Sequence, residues 1–117
     1  MKKINIKRIY DGLSEYDGYR ILVDRLWPRG LTKVKTKIDE WNKEVAPSTA
    51  LRKWFAHKEE RFKEFAKLYR EELLTKEVEL NKLRTIAKKK TITLLYGAKN
   101  PKINHALILK KVLLKKL

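Results

Sequence analysis

Arginine is used selectively in this chain, and its placement suggests where an anion would bind. Only eight of the 30 basic residues are Arg, and four of them lie within segments 19–30 and 46–57: Arg20, Arg25, Arg29 and Arg52. Arg presents a planar fork of donors that matches a carboxylate or a phosphate, which Lys does not. The four side chains therefore indicate an anion site. The structural alternative is that they pair with Asp11, Asp17 or Asp24, or stack on Trp27.

The two histidines, His57 and His105, are the candidates for acid–base chemistry because an imidazole titrates near neutral pH. His105 lies beside Asn104 in the first turns of a predicted helix, where the backbone dipole favours a neutral ring and a nearby anion. Local capping or hydrogen bonding is the alternative role for each. Two His without any Cys argue against a zinc site, and no phosphate-binding glycine loop or nucleophile elbow is present. We expect neither a metal nor a cofactor.

Two strands and one helix would bring these side chains together. Apolar residues from Tyr19 predict a strand to about Arg25, followed by a turn at Trp27-Pro28. Residues 91–96 predict another strand, and Asn100-Pro101 predicts the start of the last helix. If the two strands are parallel neighbours, segments 25–30 and 96–105 meet at one rim of the sheet.

The predicted site is therefore a polar, cationic pocket for a small anionic ligand, including a phosphate-bearing one. Its acid–base candidates are His105 and His57, and its ligand-binding candidates are Asp24, Arg25, Trp27, Arg29, Arg52 and Asn104. The residues leave open whether the pocket catalyses a reaction or only binds.

The order of elements predicts a single α/β domain over residues 1–117. We expect a mostly parallel three-stranded sheet flanked by helices, in a Rossmann-like arrangement, because a long helical insert separates the second strand from the third. Within the insert, the spacing of Ile38, Trp41 and Val45 predicts a helix over 36–45. Ser48 is placed to cap the next helix.

The net charge of +16 offers a second function. Residues 76–117 carry +10 of it, including Lys88, Lys89 and Lys90, so this region could form a basic nucleic-acid-binding module. The alternative is background composition, since surface Lys carries no geometry. A third hypothesis, an interaction subunit without a ligand, predicts an exposed apolar patch in place of a pocket.

The compartment and the partners are constrained only weakly. No apolar run approaches the roughly 20 residues of a membrane span, and the amino-terminal residues lack the pattern of a signal peptide. We therefore expect a cytoplasmic protein with no membrane partner. The sequence leaves the oligomeric state open.

Five segments together resemble a known family. They are Arg8–Asp11, Asp17–Gly30, Ala46–His57, Thr93–Ala98 and Asn104–Ala106. Their residues, above all Leu-Val-Asp-Arg-Leu-Trp-Pro-Arg-Gly and Asn-His-Ala, resemble the YeaO-like branch of the domain-of-unknown-function 488 family.

The resemblance covers nearly the whole chain. It implies a compact α/β domain and no settled activity. It also implies a departure, because longer members of that family carry a Cys in the last strand and a Cys-His-Arg at the final helix. The corresponding residues here are Tyr96 and Asn104-His105-Ala106, which cannot support thiol chemistry.

Overall fold

A parallel sheet with helices packed on it forms the protein, seen in a computed structural model that describes residues 3–116. The strands are β1 (Ile4–Arg8), β2 (Tyr19–Leu22), β3 (Glu40–Trp41) and β4 (Ile92–Tyr96). The helices are α1 (Lys33–Thr36), α2 (Thr49–Phe55), α3 (Phe62–Leu73), α4 (Glu77–Lys89) and α5 (His105–Leu114). Short 3-10 turns cover Ile9–Asp11, Lys43–Val45 and Glu59–Arg61.

The sheet has the order β1-β4-β2-β3, and all three strand pairs are parallel. The prediction of an α/β domain with β2 and β4 as parallel neighbours is confirmed, and the crossover between them runs through α2, α3 and α4. Because α5 follows β4 directly, the amino end of α5 lies at the carboxyl ends of the strands.

The two faces of the sheet are covered differently. Side chains of β2 and β4 alternate between faces, and one face, with Ile21 and Leu94, packs against the main core to which α2, α3, α4 and α5 all contribute. The other face, with Leu22 and Leu95, is covered by a smaller cluster from the segment between β2 and β3.

The strand count of three is wrong, because a fourth strand lies where a helix over 36–45 is predicted. Helix α1 ends at Thr36, since Lys37 adopts a left-handed conformation with φ 46°. The following residues then pair with β2. The spacing of apolar residues misleads here because Ile38 and Trp41 pack on the smaller cluster, whereas Val45 belongs to the main core.

The predicted start of the last helix is also wrong. Asn100 forms a local turn, with its side-chain oxygen accepting from the Lys102 amide at 2.8 Å. The helix begins at His105, and Asn104 is its cap, with Oδ1 accepting from the Leu107 amide at 3.1 Å. The predicted cap at Ser48 is confirmed, since its side chain accepts from the Leu51 amide.

Candidate functional site

A cavity of about 210 Å³ lies at the carboxyl ends of β2 and β4, against α2 and the amino end of α5. Six of the eight predicted site residues line it: Asp24, Arg25, Arg52, His57, Asn104 and His105. They come from three segments distant in sequence. The parallel pairing of β2 and β4 brings two of these segments to one edge, and α2 supplies the third.

The other two predicted site residues lie elsewhere. The Trp27 indole packs on the opposite face of the sheet, edge-on to Trp41 with ring centroids 5.3 Å apart, and donates to the Leu31 carbonyl at 2.7 Å. Arg29 is exposed, and its backbone carbonyl accepts from the Tyr10 hydroxyl at 2.9 Å. The turn after β2 therefore splits the predicted wall, with Asp24 and Arg25 in the cavity and Trp27 and Arg29 outside it.

Asp24 and His105 form the floor of the cavity. His105 Nε2 lies 2.9 Å from the Val23 carbonyl oxygen and 3.2 Å from Asp24 Oδ1. Both neighbours are acceptors, so Nε2 carries the ring hydrogen of the neutral imidazole, and Nδ1 is its basic nitrogen. The second carboxylate oxygen of Asp24 accepts from the Gly97 amide at 2.8 Å.

Gly97 and Tyr69 support this floor, and sequence reasoning missed both. A Cβ at position 97 would come within 3.0 Å of Asp24 Oδ2, so glycine lets β4 approach the carboxylate. The Tyr69 ring meets the His105 ring edge-on at 6.0 Å, and its hydroxyl donates to the Val45 carbonyl. Burial raises the pKa of Tyr69 well above its usual value, so this phenol stays neutral and serves as packing.

Arg25 is committed in part to the fold. Its Nε donates to the Pro47 carbonyl at 3.0 Å, and one terminal nitrogen donates to the Ala46 carbonyl at 3.3 Å. These bonds hold the segment that leads into α2. Glu72 holds the same segment from the other side, accepting from the Ser48 amide at 2.8 Å and from its hydroxyl at 2.6 Å.

Arg52 differs from Arg25, because no protein group within residues 3–116 accepts a hydrogen bond from it. Within residues 3–116 its guanidinium forms neither a hydrogen bond nor an ion pair to protein, and its Nε is fully buried. Buried polar groups are nearly always hydrogen-bonded, so an unsatisfied one calls for an explanation. Asp24 Oδ1, in the same cavity, is the other buried side-chain atom of the described residues that has no hydrogen-bond partner. Arg52 extends from α2, whose start is fixed by Ser48 and Glu72.

His57 and Asn104 complete the polar lining. His57 is exposed and follows the end of α2, where Ala56 and His57 both have positive φ, 46° and 57°. Such a conformation costs about 1 kcal/mol or more for a residue with a side chain. Asn104 is buried and uses its side chain to cap α5 and to donate to the Asn100 carbonyl at 3.0 Å. Its role in the geometry is structural.

Known proteins are similar to this chain over nearly its whole length. The family model described as "Inactive DUF488-N3 subclade" matches residues 3–117. The chain belongs to the DUF488 family. It is 52% identical over 106 residues to "Uncharacterized protein YeaO" of Escherichia coli (strain K12), covering 91% of this chain and 92% of the relative.

More distant DUF488 relatives are found in mycobacteria. "Uncharacterized protein Rv3073c" of Mycobacterium tuberculosis (strain ATCC 25618 / H37Rv) is 37% identical over 111 residues, covering 95% of this chain and 93% of the relative. No solved structure matches the chain.

Two features of the described part of this DUF488 structure bear on its partners. Across residues 3–116, no group of three or more His, Asp or Glu side chains is arranged to hold a metal ion. In the same range, no helix is both long and apolar enough to cross a membrane.

Proposed function

We propose that this DUF488 protein binds a small anion in the cavity, with Arg52 as the main cationic contact. The position of Arg52 in the cavity lining carries the proposal, since an anion would accept hydrogen bonds from its terminal nitrogens, which donate to no protein group within residues 3–116. Arg25 adds a second positive charge, and the amino end of α5 adds a favourable dipole.

The family comparison favours binding of the anion without a chemical reaction. The matching family model is described as inactive, and the chain has no Cys to act as a nucleophile. In the neutral ring His105 can accept a hydrogen bond from a ligand through Nδ1, because Nε2 donates to the Val23 carbonyl. The expected cytoplasmic location stays a prediction.

Titration followed by amide NMR tests the proposal, with inorganic phosphate and acetate as separate probes. We expect saturable shifts at Gly97 and the first amides of α5, and binding about tenfold weaker in Arg52→Met, since one charge-assisted hydrogen bond contributes about 1.5 kcal/mol or more. Arg29→Met removes the same charge outside the cavity and should bind as the parent does. Equal losses in both variants, or no saturable shift with either anion, would refute a cavity site.

Exposure of Lys88, Lys89 and Lys90 at the end of α4 favours a second candidate, nucleic-acid binding. Among residues 3–116, these three ammonium groups form no ion pair, unlike Lys76, Lys82 and Lys116. Binding to a short DNA duplex should then weaken steeply with salt. Replacing the three Lys by Gln should weaken it further, whereas Arg52→Met should not. Salt-independent binding, or none at low salt, would exclude this function.

A further inference from the structure

Five apolar residues also line the cavity, and together they are called its apolar wall: Leu26, Pro47, Phe55, Phe65 and Ala98. Phe55 and Phe65 stack with ring centroids 4.2 Å apart, which fixes the position of this wall. Leu26 is 58% exposed and is therefore free to contact a ligand in the cavity. An inorganic ion at Arg52 would leave the exposed part of this apolar surface, chiefly Leu26, in contact with water.

The charges in the cavity favour a ligand with a single negative charge. Arg25 already donates hydrogen bonds to the protein, from Nε to the Pro47 carbonyl and from one terminal nitrogen to the Ala46 carbonyl. The Asp24 carboxylate lines the same cavity, and it would repel the second charge of a dianion. One guanidinium fork, that of Arg52, is thus left for one planar anionic group, and a carboxylate matches it in shape.

The size of the cavity limits the remainder of the ligand. Its 210 Å³ is below the range of about 300 to 1,000 Å³ in which drug-sized molecules bind. From this size, the apolar wall and the charge balance, we propose that the ligand is a small carboxylic acid with a compact apolar body. Its carboxylate pairs with Arg52, and its body lies against Leu26 and Phe55. This inference rests on the proposed anion site and names the class of ligand.

Four small molecules, titrated into the intact protein by calorimetry or amide NMR, measure separately the contributions of the carboxylate and of the apolar body. Benzoate carries both the carboxylate and an apolar body, acetate carries the carboxylate alone, benzamide is the neutral analogue, and inorganic phosphate is the anion without a body. We expect benzoate to bind about tenfold more tightly than acetate or phosphate, because an additional apolar surface is buried. Benzamide should bind at least about tenfold more weakly than benzoate, because it lacks the charge.

Leu26→Ser tests the apolar wall without disturbing the core, since Leu26 is largely exposed. We expect benzoate to bind about fivefold more weakly and acetate to be unaffected. Leu13→Ser is the matched control, an exposed Leu that does not line the cavity, and should change neither.

The outcomes distinguish this inference from the proposal beneath it. If phosphate or acetate binds at the cavity and benzoate binds no more tightly, the carboxylic acid is wrong and the anion site stands. If benzamide equals benzoate, the apolar wall alone binds and the carboxylate preference is wrong. If none of the anions binds, the anion site fails and this inference fails with it.

Discussion

The two ends of the parallel sheet use Arg in opposite ways. Near the amino ends of the strands, Arg20 is buried, forms an ion pair with Asp17, and donates through Nε to the Thr36 carbonyl at 3.2 Å. At the carboxyl ends, Arg52 lines a cavity and has no protein partner within residues 3–116. The two side chains have the same chemistry and differ only in their surroundings. These surroundings indicate that Arg20 stabilises the fold and that Arg52 is available to bind a ligand.

The closed end is built around Asp17. Its carboxylate accepts from Lys7 Nζ at 3.1 Å, from the Ser14 amide at 3.1 Å and from Arg20. Its backbone carbonyl accepts from the Thr93 hydroxyl at 2.7 Å, which ties the network to β4. These contacts use both carboxylate oxygens and the backbone carbonyl of Asp17, so we expect this end to respond to mutation through stability alone.

Gly18→Ala should give the largest loss of stability. Gly18 has φ +67°, and a Cβ there would lie 2.1 Å from the backbone oxygen of Thr91, which cannot move without breaking the sheet. We expect the free energy of unfolding to fall by about 4 kcal/mol or more, as measured by urea denaturation. Gly12→Ala is the control: Gly12 also has a positive φ, +86°, but its Cβ would meet no atom within 4 Å. Equal losses in the two variants would show that contact with Thr91 is unimportant.

Asp17→Asn should cost about 3 kcal/mol, because it leaves the buried guanidinium of Arg20 without its counter-charge. Glu15→Gln removes the same charge from an exposed neighbour and should change stability by less than about 0.5 kcal/mol. Anion binding at the cavity should be unchanged in folded Asp17→Asn protein. A parent-like free energy of unfolding in Asp17→Asn would contradict the structural role given to this pair.

The same carboxylate sets a dependence on pH. Burial raises the pKa of Asp17, but hydrogen bonds from Lys7, Ser14 and Arg20 outweigh it and leave the pKa below its usual value. A lowered folded-state pKa stabilises the protein above the unfolded-state pKa of about 3.9, and that stability is lost as the pH falls through the folded value. Urea denaturation across this acidic range should therefore show a weaker pH dependence in Asp17→Asn than in the parent.

The sequence was informative where local pattern and fold agree. The apolar runs of β2 and β4 and the helical insert between them predict two parallel strands, and that prediction is confirmed. The sequence does not predict strand β3, because it pairs over only two residues, Glu40 and Trp41. The nearby apolar residues also pack on opposite sides of the sheet, Ile38 in the smaller cluster and Val45 in the main core. The side chains of Asn100 and Asn104 each accept a hydrogen bond from a backbone amide further along the chain. For Asn100 the donor is two residues on, which makes a turn, and for Asn104 it is three residues on, which caps a helix.

The site was harder to predict than the fold, for a physical reason. Arg25, Arg29 and Arg52 have the same chemistry. The turn after β2 decides the contacts of Arg25 and Arg29, and the placement of α2 decides those of Arg52. Trp27 faces the opposite side of the sheet from the cavity because its indole packs on Trp41 and donates to Leu31. The apolar wall of Phe55 and Phe65 is indistinguishable in sequence from the core that these residues also form.

Arg52→Met gives the smallest expected effect, and its comparison with Arg20→Met separates the two ends of the sheet. Arg52→Met removes a buried Nε that has no partner in the described chain and keeps an apolar stem, so the free energy of unfolding should stay level or rise by up to about 1 kcal/mol. Arg20→Met should instead lose about 3 kcal/mol, because buried Asp17 keeps only Lys7 as a counter-charge and the bond from Arg20 to the Thr36 carbonyl is lost. A gain in stability joined to a loss of anion binding is what a residue kept for a ligand should show. If Arg52→Met destabilises the protein as much as Arg20→Met does, both ends of the sheet use Arg for the fold, and the cavity loses its main cationic contact.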